Sequence, residues 1–415
     1  MAAPTPEELR REFLLDPEIA FLNHGSFGAC PRPVFERYQA WQRELEREPV
    51  DFLDRRLPAL LDDARAALAD YLGCPASDLA FVQNATTGVN LAARALDLRP
   101  GDEVLATDLE YGACDLAWDW VCRRAGARYV RAPIPLPLPD ERRLVDALFA
   151  LATERTRAVY FSHVTSITGL VLPVEDIVRR ARALGLVTIV DGAHAPAHVP
   201  VNLTELDTDY YSGNCHKWLG GPKGAGFLHV RPEHQDRVGA PIVSWGYTEG
   251  AGFSERIEKQ GTRDPAAWLT VPAAIGFQAG RDWDDVRERC RRLAREARQE
   301  LCDLLETEPL APDSMVAQMA TVRLPRSSPG LNERLFTRHR VEIPVGGPEK
   351  SLLRLSVAGY TTRNEVDTLL ELLTHWNTGR LDTLGGALRR PRSQSVESSA
   401  ALVRELDAEH GQQDE

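Results

Sequence analysis

The stretch from Asp209 to Leu228, DYYSGNCHKWLGGPKGAGFL, decides the fold. Within it, Lys217 lies between His216 and Trp218 and is followed by a glycine-rich turn. A lysine among apolar and turn residues is not expected on a solvated face, and burial lowers the pKa of its amine. The neutral amine is then available for Schiff-base chemistry. Because glycines let the backbone pass close to a ligand, we predict a reactive lysine beside a ligand-binding turn.

A second stretch, from Val187 to His194 (VTIVDGAH), is an apolar strand that ends in Asp191. Either a single lysine or a single strand-end acid is more often an ordinary surface residue. Together they match what a pyridoxal 5'-phosphate (PLP) enzyme needs, because the lysine forms the Schiff base and the acid pairs with the pyridinium nitrogen. Lys217 and Asp191 therefore predict a PLP site.

The composition indicates a globular enzyme with a small-molecule substrate. The chain has 415 residues, of which 43% are apolar and 27% charged. Its net charge of −12 argues against nucleic acid or an anionic membrane as partner, and no run of about 20 apolar residues occurs. Seven cysteines without a CxxC pair predict neither a disulfide framework nor a metal site, and they fit a reducing cytoplasm.

Short apolar strands alternate with amphipathic helices from Leu79 onward. The predicted strands are 79–82, 103–107, 128–131, 158–161, 187–190, 210–211 and 226–230. This alternation predicts an α/β fold with a mostly parallel sheet and helices on both faces. Ligands of such sheets bind at the carboxyl ends of the strands. Asp191, which follows one of these strands, should therefore lie at the site.

The remaining patterns predict a second, smaller α+β domain at the C-terminus. Its signals are a long charged helix, two strands and a closing helix at 281–306, 319–324, 352–356 and 362–377. Segment 244–264 has no clear periodicity and is predicted to be a loop. The expected divisions are an N-terminal segment 1–20, a large PLP-binding domain 21–270, the small domain 271–382 and a disordered tail 383–415 with a short helix near 398–409.

Three further segments could contact a cofactor or substrate. Residues 85–88 (ATTG) follow a strand and start a helix, so their N–H groups and hydroxyls could bind a phosphate or simply cap the helix. Tyr111, at the next strand end, could lie over a flat cofactor or on the surface. The segment 23–28 (NHGSFG), with Asn23 and His24, could wrap a substrate or form an ordinary loop.

These motifs resemble those of the class V aminotransferase-fold PLP enzymes (fold type I), and within them the isopenicillin N epimerase-like group. The resemblance covers roughly residues 20 to 380. It is carried by LNHGSFG (22–28), NATTG (84–88), EYGA (110–113), SHVTSITGL (162–170), DGAHAP (191–196), GNCHKW (213–218), VSWG (243–246) and QGTRD (260–264). The resemblance does not extend to the cysteine desulfurases, because their mobile catalytic cysteine has no counterpart in RVEIPVGG (340–347).

The resemblance implies a role for each matching residue. Lys217 is then the Schiff-base lysine and Asp191 the pyridinium partner, and Arg354 binds the substrate α-carboxylate with its planar fork. By the same resemblance, His194 contacts the phenolic oxygen of the cofactor, with Ser166 nearby, and Tyr111 stacks on the cofactor ring. The residues implied to bind the phosphate are Thr86, Thr87, His216 and Asn214. The resemblance also implies a homodimer in which Thr262 reaches the phosphate of the partner subunit.

The resemblance also implies the chemistry. The substrate is an amino acid or the aminoacyl side chain of a larger molecule, whose amine displaces Lys217 to form an external aldimine. Lys217 then removes the Cα proton. Reprotonation on the opposite face gives racemisation or epimerisation, which ranks first. A C–S lyase of the cysteine/cystine type or an aminotransferase would follow from the same carbanion. A non-catalytic PLP-fold binding protein is disfavoured by the presence of Lys217, Asp191 and Arg354.

Overall fold

The computed structural model describes residues 3–383, and the tail predicted for 383–415 lies almost entirely outside the described residues. Its strands are β1 (Ala20–Phe21), β2 (Leu79–Val82), β3 (Glu103–Thr107), β4 (Arg128–Ala132), β5 (Thr156–Ser162), β6 (Val187–Gly192), β7 (Tyr210–Asn214), β8 (Gly226–Val230), β9 (Met319–Arg323), β10 (Val341–Glu342), β11 (Val345–Gly346) and β12 (Leu352–Ser356).

The helices surround these strands in chain order. They are α1 (Pro6–Arg11), α2 (His24–Phe27), α3 (Arg32–Arg47), α4 (Leu57–Leu72), α5 (Ala85–Ala95), α6 (Gly112–Ala125), α7 (Glu141–Phe149), α8 (Val174–Ala183), α9 (Leu203–Leu206), α10 (Pro232–Gln235), α11 (Phe253–Glu258), α12 (Ala266–Leu269), α13 (Val271–Ala279), α14 (Trp283–Leu305), α15 (Leu331–His339) and α16 (Arg363–Asn377). A π-helical turn (Asp51–Arg56) leads into α4. Within residues 3–383, no helix combines the length and apolarity that crossing a membrane requires.

A seven-stranded sheet with the order β2-β8-β7-β6-β5-β3-β4 forms the centre of the molecule. Adjacent strands of this sheet are parallel except at β8, which runs antiparallel to both β2 and β7. The prediction of a mostly parallel α/β sheet is confirmed. Because no helix crosses over between β7 and β8, the chain turns back at the carboxyl end of β7. Lys217 lies in that turn.

The strands of this sheet are buried on both faces. In β5, Val159 and Phe161 join one apolar cluster, whereas Ala158 and Tyr160 join another on the opposite face, as the two-residue repeat of a strand requires. The first cluster includes residues of α7 and α8, and the second includes residues of α5 and α6. The helices therefore cover both faces, as predicted, and leave the strand ends for the site.

Two smaller sheets lie in the part of the chain around the C-terminal strands. One is antiparallel with the order β11-β12-β9, and the other pairs β1 with β10 in parallel. The backbone oxygen of Leu22, just after β1, accepts a hydrogen bond from the N–H of Ser356 in β12 (2.9 Å). The N-terminal strand is thus integrated with the C-terminal strands. The predicted domain boundaries at 20, 270 and 382 stay predictions.

Two predicted loops contain short helices. The segment 23–28 forms α2, and 244–264 includes α11. Both helices are too short to be stable alone. They are also too short to produce a recognisable helical periodicity in the sequence. Packing accounts for α11, because its residues Phe253 and Ile257 are buried with β2 residues such as Val82.

Candidate active site

Lys217 and His194 form the centre of the candidate site. The Lys217 Nζ lies 3.1 Å from His194 Nε2, and the indole N–H of Trp218 donates to His194 Nδ1 at 3.4 Å. An indole nitrogen is only a donor, so this contact assigns the imidazole proton to Nε2. Once the Lys217 amine has lost its proton, His194 donates from Nε2 to the amine lone pair.

The electrostatics of the pair agree with this hydrogen bond. Burial lowers the pKa of Lys217 to about 8; the negative charge of Asp191 opposes this decrease, and the positive charge of Arg354 reinforces it. Burial also lowers the pKa of His194 well below its ordinary value, and the Lys217 charge adds to the effect. A neutral histidine beside an easily deprotonated lysine is the state in which the amine acts as nucleophile or base.

Asp191, at the end of β6, is a buried acid with weak partners. Its Oδ1 accepts the Ala193 N–H at 2.8 Å. Its Oδ2 lies 3.4 Å from the Tyr160 hydroxyl and 3.6 Å from Cys114 Sγ. Burial raises the pKa of Asp191, and it makes no direct ion pair in the described part of the chain. A buried carboxylate in this state is costly unless a cation or strong donor pairs with it.

The N-terminus of α5 is organised by two asparagines. Asn84 caps the helix by accepting from the Thr87 N–H at 2.9 Å and from the Thr87 hydroxyl at 3.1 Å. Asn214 Oδ1 accepts the Ala85 N–H at 2.8 Å. Thr86 is half-buried between them. Asn214 and Thr87 thus support the helix start, and their predicted contact with the phosphate stays a prediction. Asn84, which was not predicted, could have been found from its N-cap preference.

The other residues predicted to contact the cofactor make no hydrogen bond with the side chain of Lys217 or Asp191 in the part of the chain that the structure describes. His216 Nδ1 lies 3.2 Å from the Ala225 backbone oxygen across the lysine turn, and burial lowers its pKa to about 4. Tyr111 is the N-cap residue of α6 and is 47% exposed. Ser166 contributes its backbone oxygen to Arg354. Thr262 is exposed and lies on a separate groove, away from Lys217.

Arg354, in β12, is buried without a carboxylate partner among residues 3–383. Its Nη2 donates to Asn23 Oδ1 at 3.1 Å and to Ser26 Oγ at 2.9 Å, and its Nη1 donates to the Ser166 backbone oxygen. The Nε is buried with no hydrogen-bond partner. Burial lowers the pKa of Arg354 to about 10. A buried guanidinium surrounded by neutral acceptors is suited to bind an anion.

Both ring nitrogens of His24 contact protein groups. Its Nδ1 lies 2.7 Å from the Tyr360 hydroxyl, and its Nε2 lies 3.1 Å from the Lys217 backbone oxygen. His24 therefore holds the lysine turn in place, and its predicted contact with the substrate stays a prediction. Gly28, at φ +69°, brings the segment so close that a Cβ there would lie 2.1 Å from the His216 oxygen.

His198 is another residue that the sequence did not reveal. Its Nδ1 donates to the His194 backbone oxygen at 2.9 Å, and its ring stacks on Trp218 with 4.1 Å between centroids. Its Nε2 accepts the Gln318 N–H at 2.8 Å. His198 therefore fixes the backbone that presents His194. The four-residue spacing of the two histidines in DGAHAPAH was the available signal.

Three features of this site fit PLP. Lys217 offers an easily deprotonated amine, Asp191 is a buried acid without a paired cation among residues 3–383, and the eleven-residue helix α5 has a positive end for a phosphate. The fold and these residues together define a PLP-dependent enzyme of fold type I. The profile of the family described as Aminotransferase class-V matches residues 31–369. The chain belongs to this family.

Curated relatives cover most of the chain. Isopenicillin N epimerase of Amycolatopsis lactamdurans is 41% identical in an alignment 396 residues long that covers 90% of this chain and 99% of that protein. The isopenicillin N epimerase of Streptomyces clavuligerus is 39% identical over 90% of this chain and 98% of its own. Putative L-cysteine desulfhydrase 2 of Oryza sativa subsp. japonica is 29% identical and covers 89% of this chain and 87% of that protein.

Solved structures of lower identity share the fold. A complex of the cystine C–S lyase C-DES with its product cysteine persulfide has a TM-score of 0.76 at 22% identity, over 86% of this chain and 98% of that one. The cysteine desulfurase CsdA from Escherichia coli has a TM-score of 0.75 at 23% identity, over 92% and 99% of the two chains. These similarities bear on the fold type alone.

Proposed function

We propose that this protein is a PLP-dependent epimerase that inverts the Cα centre of an amino acid or of an aminoacyl side chain, as in isopenicillin N. The observation that carries the proposal is the buried Lys217 amine, which lies 3.1 Å from His194 Nε2 and whose pKa is lowered by burial to about 8. The 41% identical isopenicillin N epimerase supports the choice of reaction.

Four residues have separate roles in proton transfer at Cα. When bound, PLP supplies an electron sink that stabilises negative charge at that carbon. Lys217 is the base that accepts the Cα proton, and the carboxylate of Asp191 keeps the pyridine nitrogen protonated. His194 donates to the free amine and so orients its lone pair. Arg354 holds the substrate α-carboxylate, which fixes the Cα–H bond relative to Lys217.

The reaction can be tested with a substrate panel in deuterated water. Isopenicillin N and free amino acids are incubated with the enzyme and scored for Cα deuteration, chiral inversion, pyruvate or ammonia release, and keto-acid formation. We expect deuteration together with inversion for at least one substrate. Deuteration accompanied by pyruvate release without inversion would assign a C–S lyase instead. This second candidate is favoured by the 29% identical desulfhydrase relative.

The active form is a homodimer in this proposal, and Thr262 contributes to the partner subunit's phosphate site. The support is the groove of about 830 Å³ on which Thr262 lies, together with the neighbouring Trp245, which is 85% exposed. An aromatic surface of this kind is typical of a protein interface. Mixed dimers of Lys217→Ala and Thr262→Ala chains should recover part of the activity that each homodimer lacks. A fully active monomer in sedimentation would contradict the dimer.

A further inference from the structure

The side chain of Asn23 connects Arg354 to an acid that lies outside the predicted site. Its Oδ1 accepts from Arg354 Nη2 at 3.1 Å and from the Ser26 hydroxyl at 2.5 Å. Its Nδ2 donates to Glu342 Oε1 at 2.9 Å. The three residues thus form the chain Glu342–Asn23–Arg354, in which both ends of one amide are in use.

The two ends of this amide are not interchangeable. A guanidinium has only donors, so Arg354 requires the oxygen end of Asn23, and a carboxylate accepts, so Glu342 requires the NH₂ end. If the amide turned over, both contacts would become repulsive. Without Glu342, the orientation of the Asn23 amide would be set only by Arg354 and Ser26. Glu342 therefore selects the amide orientation that suits the arginine.

Backbone pairing brings Glu342 to this position. In the parallel pair β1–β10, the Leu22 N–H donates to the Glu342 backbone oxygen at 3.0 Å. The Leu22 oxygen accepts from Ser356 N–H at 2.9 Å, two residues after Arg354 in β12. The backbone just before Asn23 is therefore held between the strands of Glu342 and Arg354. The backbone pairing of the strands therefore fixes the positions of Glu342, Asn23 and Arg354 relative to one another.

We propose that Glu342 is a positioning residue for recognition of the substrate α-carboxylate, acting through Asn23 on the guanidinium of Arg354. The proposal rests on the proposed function, in which Arg354 binds that carboxylate. The amide also separates the two charges. A direct Glu342–Arg354 ion pair would compete with the substrate for the guanidinium, whereas an intervening amide orients the guanidinium and leaves its charge for the substrate.

The test compares two probes that differ only in the carboxylate, L-alanine and L-alanine amide. Each is titrated into the PLP-loaded enzyme, and binding is followed by the change in cofactor absorbance. We expect Glu342→Ala to raise the Kd of L-alanine about tenfold and to leave the Kd of the amide unchanged. An equal change for both probes, or no change for either, would overturn the proposal.

Three variants separate positioning from damage to the fold. Glu342→Gln keeps an acceptor for Asn23 Nδ2, so its Kd for L-alanine should stay within about twofold of the unmodified enzyme. Glu333→Ala, an exposed acid on α15, removes the same charge and should have no effect. In the Asn23→Ala background, Glu342→Ala should add nothing, because the two residues act as one unit. An additive loss would show that Glu342 does not act through Asn23.

Failure of the proposed function would look different. If the unmodified enzyme gave no spectral response to L-alanine, the carboxylate-binding role of Arg354 and the inference about Glu342 would both fall. If it responded and preferred L-alanine to the amide, but Glu342→Ala bound both probes as before, only the inference about Glu342 would fall.

Discussion

The two ends of the site bury their charged groups in different ways. At the strand ends of the large sheet, burial lowers the pKa of Lys217 to about 8, so that its amine loses its proton easily, and Asp191 has only weak contacts. At the small sheet, Arg354 keeps its charge and is surrounded by neutral oxygen acceptors. Burying an unpaired charge is costly. This difference supports our proposal that the cofactor pairs with Asp191 and Lys217 at the first end (the cofactor end), whereas the substrate pairs with Arg354 at the second (the substrate end).

The strongest test of the comparison is removal of the amine at the cofactor end. Lys217→Ala removes both the attachment point and the proposed base, so turnover should fall by about 10⁴-fold or more. Borohydride treatment followed by peptide mass spectrometry should fix PLP on Lys217 of the unmodified protein and on no residue of the variant. A colourless protein after incubation with PLP would contradict the cofactor assignment itself.

Neutralising the acid at the same end should have the next largest effect. Asp191→Asn keeps the shape of the side chain but cannot hold the pyridine nitrogen in its protonated state. We expect PLP to remain bound and turnover to fall about 10²–10³-fold, the usual cost of losing one preorganised charge contact. Steady-state kinetics and cofactor absorbance measure both quantities. Near-normal turnover would show that Asp191 has another role.

At the substrate end, Arg354→Lys should change binding more than chemistry. Lysine keeps a charge but loses the planar fork, so KM for amino acids should rise about 10–100-fold with PLP binding retained. If Arg354 were instead part of a structural ion pair, its loss would leave a buried acid unpaired and cost about 3–5 kcal/mol of stability. No such acid contacts it within residues 3–383. A melting curve that falls steeply while KM is unchanged would remove Arg354 from the site.

The cofactor end and the substrate end also differ in how well the sequence predicts them. The cofactor end is built from two short stretches, around Asp191 and Lys217, each of which carries its chemistry in adjacent residues. Strand and helix periodicity then sufficed to place both at the carboxyl edge of one sheet. The alternation of strands and helices also predicted the sheet itself, apart from the antiparallel direction of β8.

The substrate end could not be predicted in the same detail, because its contacts join residues far apart in the chain. Asn23 and Glu342 are 319 positions apart, and β1–β10 pairing, which involves two-residue strands, brings them together. The contacts of His24 with Tyr360 and the Lys217 backbone could not be predicted either, since they join residues far apart in the sequence. Asn23 and Arg354 were predicted by resemblance, but their connection through Glu342 depends on tertiary structure.

The smallest of the expected effects is the change in the labelling rate of Lys217 with pH in the PLP-free apoenzyme. Only the neutral amine reacts with fluorodinitrobenzene, and burial sets the pKa of Lys217 at about 8. The labelling rate of Lys217, measured by mass spectrometry, should rise about fivefold between pH 7 and pH 8, about twofold more by pH 9, and then level off. An ordinary lysine, with a pKa of about 10.4, would continue to gain reactivity up to about pH 10.

A matched variant gives the sign of the coupling between the two buried groups. The charge of Asp191 raises the pKa of Lys217, so Asp191→Asn should move the labelling midpoint to lower pH and increase the rate at pH 7. The Glu333→Ala variant, which alters an exposed acid, should leave the midpoint unchanged. A midpoint that Asp191→Asn does not move would mean that Asp191 and Lys217 are not coupled. A midpoint near the ordinary lysine value would mean that the cofactor end holds a permanently charged lysine. Both ends of the site would then bury a permanent cation, and the difference between them would disappear.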